Sequence, residues 1–192
     1  LRRTSANRSI TVSRIIHAPP CAIYAAFLDP EAVATWLPPG DMRGIVHEFE
    51  GREGGAFNMS LVYPDDETEM SGKTSEKTDT FRGRTAKLIP DALVVWKTVF
   101  DSPDPTFAGE MTVRTHLVPA AGGTQVTMVT EDIPEGIRLE DNETGCLQTL
   151  EQLAAYVRGW AGKARPGGRR EPTPEPLFMQ RAARARHRPI SA

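Results

Sequence analysis

The sequence predicts an α+β domain: a curved antiparallel sheet of about seven strands around one long C-terminal helix, with two short helices after the first strand. Three observations predict it. Apolar and polar residues alternate in segment after segment, the two-residue period of strands with one buried face. Between residues 43 and 132 no helical segment separates those strands, so neighbours pair antiparallel rather than through crossovers. After the strands, over residues 140–160, the period changes to that of a long helix.

Ile10, Val12 and Ile16 alternate with Thr11, Ser13 and His17, a first strand over 10–17. Pro20 suits a helix first turn, and Ile23, Tyr24, Phe27 and Leu28 share one side of a helix over 21–28. Asp29 is placed to cap a second helix, with Pro30 at its first position and Glu31 at the dipole's positive end. That helix runs to Leu37, and Pro38-Pro39-Gly40 ends it. A strand over Arg43–Glu50 puts Ile45, His47 and Phe49 on one face. Gly54-Gly55 turns into a strand with Phe57, Met59, Leu61 and Tyr63 on one face. Residues 64–77 read as a polar loop, and strands follow over 78–89 and 93–100, the second carrying Trp96. Met111, Val113, Thr115 and Leu117 alternate within a strand expected over 107–118, and a hairpin leads to the last, over 124–132. In the final helix Leu147, Leu150, Ala154 and Val157, widened by Cys146 and Leu153, form the apolar stripe; Glu143, Gln148, Glu151, Gln152 and Arg158 form the opposite face.

The chain has 192 residues, 39% of them hydrophobic, and a net charge of −2. That average hides a split. Residues 163–188 carry eight basic and two acidic side chains, net +6, which leaves −8 on the residues before Lys163. The chain divides into an extension over 1–8, a domain over 9–160 and a basic, disordered tail over 161–192. An acidic body does not suit a nucleic-acid groove. No apolar run reaches the roughly 18 residues of a membrane span, and residues 1–9 lack the apolar core of a signal peptide. Cys21 and Cys146 have no metal-ligand spacing and read as free thiols of a cytoplasmic protein. No cofactor motif is present.

Several motifs occur in a telling order. Gly51-Arg52-Glu53-Gly54-Gly55-Ala56-Phe57 follows the second strand; Gly72-Lys73-Thr74 and Phe81-Arg82-Gly83 lead the fourth; Phe107-Ala108-Gly109-Glu110-Met111-Thr112 opens the sixth. Pro134-Glu135-Gly136-Ile137-Arg138, Glu140-Asp141-Asn142-Glu143 and Leu150-Xaa-Xaa-Leu153-Ala154 mark the last helix. Over residues 8–158 this resembles the bacterial single-domain homologues of the C-terminal domain of the activator of the ninety-kilodalton heat-shock chaperone ATPase, within the START-like (SRPBCC) superfamily. The resemblance implies a helix-grip fold with an internal cavity. It does not imply chaperone activation, for which the eukaryotic activator also uses a separate N-terminal domain. At Cys146 the family pattern leads us to expect a tryptophan, and a thiol there opens space of roughly an aromatic ring.

A strongly curved sheet closed by one helix leaves part of its interior unfilled, and such space binds apolar ligands. The expected cavity residues are Trp36, His47, Phe49, Phe57, Met59, Phe81, Trp96, Met111, Val113, Met128, Asn142, Cys146 and Leu150. Each aromatic or methionine among them has an ordinary core role as its plainer explanation. No catalytic signature is present. His116 lies on the solvent side of its strand, and His17 ends its own. The acidic residues at 140–143 are explained by the helix dipole. The leading expectation is a binding or carrier protein for an apolar small molecule. A cyclase- or hydrolase-type enzyme, with His47, Arg82 and Asn142 converging in the cavity, is one alternative. A chaperone-associated interaction module is another, and a homodimer fits any of the three.

Overall fold

A computed structural model describes residues 8–65, 72–75 and 77–160, with the side chains of residues 159–160 excepted. The expectations for residues 1–7 and for the basic tail lie outside the described residues.

The elements run β1 (Ile10–Ile16), α1 (Pro20–Leu28), α2 (Pro30–Trp36), β2 (Arg43–Phe49), β3 (Ala56–Val62), β4 (Thr78–Ile89), β5 (Leu93–Phe100), a 3-10 turn (Pro105–Phe107), β6 (Met111–Ala120), β7 (Gly123–Glu131) and α3 (Leu139–Trp160). The sheet has seven strands in the order β1-β7-β6-β5-β4-β3-β2, every pair antiparallel. The chain therefore goes from one edge of the sheet to the other between β1 and β2, and α1 and α2 make that crossing. α3 packs against β1, α1 and α2. The α+β helix-grip fold anticipated from the sequence is the fold observed.

Local chemistry explains the boundaries. The Asp29 carboxylate accepts from the Glu31 N–H at 2.9 Å and caps α2. The concave face of the sheet collects the residues of one alternation, and Phe57 shows how tightly. Its ring lies over Gly83 of β4, where a Cβ would stand 2.6 Å from Phe57 Cζ, so the position admits glycine alone without a shift.

Three local expectations change. Phe107–Gly109 are not part of β6. The Asp104 carboxylate accepts from Thr106 N–H at 2.9 Å and closes a 3-10 turn. Gly109 then takes φ +122°, which the β ladder does not accept, and pairing begins near Met111.

In β2 the register slips between Val46 and Glu48, opposite the adjacent partners Met59 and Asn58. This bulge inserts one extra residue and reverses the alternation beyond it. Val46 and Phe49 pack on the core, while His47 is exposed. Ile45, His47 and Phe49 do not share a face.

In α3 the buried arc is Leu150, Leu153, Ala154 and Val157 together with Thr149, and Leu147 is 46% exposed. Leu147 lies about 80° round the helix from Val157. The arc swings to the other side because the segment after α2 covers it: Thr149 Oγ1 donates to Leu37 O and Gln152 Nε2 to Gly40 O, each at 2.9 Å.

Candidate functional site

The concave face is closed in two ways. Toward α1 and α2 the rings of Phe27, Trp36, Phe49, Phe57 and Trp96 meet one another at centroid separations of 4.5–6.4 Å. The Trp36 indole N–H donates to Ala26 O at 2.9 Å, so this fully buried ring has its polar atom satisfied. Toward the first turns of α3 the interior is not filled. A cavity of about 550 Å³ lies there, partly open to solvent. Its sheet wall includes Leu61, Phe81, Trp96, Phe100, Met111 and Met128. α3 faces it with Asn142, Gly145, Cys146 and Thr149, and the segment after α2 borders it with Leu37, Pro39 and Met42.

Of the residues expected around a cavity, Phe81, Trp96, Met111, Val113, Met128, Asn142 and Cys146 line this one. Trp36, Phe49, Phe57, Met59 and Leu150 do not; they belong to the packed core. Large side chains from two layers meet there and leave no gap. His47 lies outside the cavity because of the bulge, and its Nε2 instead meets Ser60 Oγ at 2.8 Å. Arg82, paired with Val99 on the outer alternation of β4, is exposed. Of the three polar residues weighed for catalysis, Asn142 alone reaches the cavity.

The thiol of Cys146 stands 3.8 Å from Thr130 Oγ1 and 3.9 Å from Asn142 Oδ1. Burial pushes its pKa up, and the Thr130 hydroxyl offsets only part of that. A thiol so placed stays protonated at neutral pH and is a poor nucleophile.

One group of side chains was missed in the sequence. Asp79, on the inward alternation of β4, is 2% exposed yet charged. Its carboxylate accepts from the backbone N–H and the ammonium of Lys73, and from the Tyr63 hydroxyl at 3.3 Å. Lys73 is held in place by Ser102 Oγ, which donates to its carbonyl at 2.7 Å. All three line the cavity. Two signals were available: a carboxylate two residues before Phe81 on the same face, and Tyr63 in line with Leu61. Reading residues 64–77 as a solvated loop concealed them.

Comparisons with known proteins agree with the fold. No curated protein matches the chain. A crystal structure of a Chromobacterium violaceum protein is 34% identical, covers 78% of this chain and 96% of its own, and superposes with a TM-score of 0.69. A Rhodobacter sphaeroides crystal structure (19% identity, 79% and 93% covered, TM-score 0.62) shares the fold. So does a solution structure of an AHSA1-like protein from Aeromonas hydrophila (16% identity, 84% and 99% covered, TM-score 0.59). Residues 17–158 match the family described as Activator of Hsp90 ATPase homolog 1-like protein, and the chain belongs to that family.

Proposed function

We propose that this protein binds a small, largely apolar molecule between the sheet and α3, as a carrier or sensor rather than as a catalyst. The cavity carries the reading. Its volume of about 550 Å³ falls within the roughly 300–1,000 Å³ of small-molecule sites, and aromatic and methionine side chains dominate its sheet wall. The enzymatic alternative is the weaker one, since His47 and Arg82 lie outside. No described helix is long and apolar enough to cross a membrane. Both cysteines are free thiols, which fits a reducing cytoplasm.

The test is native mass spectrometry of gently purified protein together with a Nile red titration. We expect retained ligand or saturable uptake of one dye per chain. Uptake that never saturates, from protein that retains nothing, would remove the reading.

One observation favours a second reading, a chaperone-associated module. Ile15 and Val118, 51% and 53% exposed, lie on either side of Gln125 on the outer face of the sheet, two exposed apolar side chains on one surface. A chaperone ATPase rate unchanged by the protein, and by its Ile15→Lys variant, argues against that reading.

A further inference from the structure

Asp41 and Asp141 border the cavity on its helical side, while the sheet wall is mostly apolar and carries its charge at β4. There Asp79, Lys73 and Tyr63 meet. A buried carboxylate persists only where its lone pairs are taken up. Asp79 receives three donors: the Lys73 backbone N–H, the Lys73 ammonium and the Tyr63 hydroxyl. The pair is locally neutral.

The ammonium is not used up by this. It has three N–H donors. Asp79 engages one, and the ammonium's remaining contact among the described residues is the Phe100 ring, whose centroid lies 5.5 Å away. The Lys73 side chain is 26% exposed and lines the cavity, so further donors are available to an occupant.

A second observation comes from β5. Thr98, the next inward residue before Phe100, is 6% exposed, lines the cavity, and its hydroxyl has no partner among the described residues. The Trp96 indole N–H, also in the wall, is likewise unpartnered. The Thr98 oxygen is shielded as it stands.

We propose that the occupant is an uncharged apolar molecule with a carbonyl oxygen, which accepts a hydrogen bond from the Lys73 ammonium while its apolar body lies along Phe81, Trp96, Met111 and Met128. This rests on the ligand-binding reading above and names the ligand's chemical class. The oxygen must be an acceptor because an ammonium only donates, and Asp79 is already occupied by donors. The molecule is uncharged because a carboxylate would set a second anion against Asp79, where the apolar wall screens poorly.

The test is displacement of Nile red from the full chain by three probes of similar shape: 2-acetylnaphthalene, 2-isopropylnaphthalene and 2-naphthoate. The ketone should displace the dye about tenfold more tightly than the hydrocarbon, with the carboxylate weakest. Lys73→Met should weaken the ketone about tenfold and leave the hydrocarbon within about twofold. The carbonyl stretch of bound, carbon-13-labelled ketone should move to higher frequency in that variant. Because Lys73→Met strands the Asp79 carboxylate, Lys73→Met/Asp79→Asn is measured beside it and should show the same ketone loss. Tightest binding of 2-naphthoate, lost in Lys73→Met, overturns the proposal in favour of an anion site. Equal binding of ketone and hydrocarbon in every variant overturns it while leaving the cavity reading intact. Failure of Nile red and all three probes to bind removes both.

Discussion

Two halves of one concave surface end differently here. Under α1 and α2 the curve of the sheet is filled by interlocking rings; under the first turns of α3 it encloses a cavity. The strands are common to both halves, and Trp96 stands on the boundary, touching Phe27 and Phe57 on one side and the cavity on the other. What differs is the helical layer. α2 sends down Trp36, and the C-terminal half of α3 sends down Leu150, Leu153 and Val157. The N-terminal half of α3 sends down Asn142, Gly145, Cys146 and Thr149. A sheet of fixed curvature needs a fixed side-chain volume to reach interior packing density. Small residues on one half-helix are therefore enough to make a site, with no change in the strands.

The comparison predicts unequal costs of truncation, and this is the largest effect expected. Trp36→Ala removes a fully buried ring from the filled half together with its hydrogen bond to Ala26, and should cost about 3–5 kcal/mol. Met128→Ala, in the cavity wall, removes a side chain that already lacks neighbours on one side. It should cost about 2 kcal/mol, at the low end for such changes. Urea unfolding with an unchanged m-value reads both. Equal losses would mean that the two halves are packed alike.

Converting one half into the other is the next test. Cys146→Trp supplies the indole that the family pattern led us to expect. It should fill the space between α3 and the sheet and weaken Nile red by at least about tenfold, the effect of losing roughly 1.4 kcal/mol of contact. It should also raise the unfolding midpoint, because new packing replaces a gap. Unaltered dye binding in a folded Cys146→Trp protein would place the dye elsewhere.

The thiol itself gives a third, smaller effect. Burial raises the Cys146 pKa above the ordinary 9.0, so its alkylation by iodoacetamide should keep accelerating with pH beyond that value. Above the unfolded thiol's pKa the unfolded chain releases a proton that the folded chain still holds, so this group lowers stability as pH rises between the two values. A cavity ligand should slow the alkylation further. A rate that levels off below pH 9 and ignores Nile red would mean that the thiol does not face the cavity.

Much of this was legible before any coordinates. β4 and β5 begin and end where the reading of strands over 78–89 and 93–100 places them. The α2 cap, the antiparallel pairing and the terminal helix also follow from local chemistry. The cavity was legible only in part, for a physical reason. Alternation tells which face of a strand is inward, and that suffices for Met111, Val113 and Met128. It does not tell whether another side chain arrives from the opposite layer. Met59 and Phe81 obey the same rule, yet one is sealed in the core and the other borders the cavity. The Asp79–Lys73 pair was hidden differently. It joins a strand residue to a loop residue, and polar composition alone made that loop look solvated.

The smallest effect tests the bulge. Strict alternation through β2 would put His47 on the inward face with Phe49. One inserted residue turns it outward to Ser60, whose hydroxyl in turn lies 2.9 Å from Thr80 Oγ1. His47→Ala should therefore remove one partly exposed hydrogen bond, worth about 0.5–1.5 kcal/mol, and leave Nile red affinity within about twofold. Val46→Ala, one residue earlier and on the core side of the slip, should cost more in stability even though the side chain it removes is smaller. The inequality depends on the register alone. A His47→Ala protein that folds normally but loses dye binding would return the imidazole to the interior, and with it the general-base role that the enzymatic alternative requires.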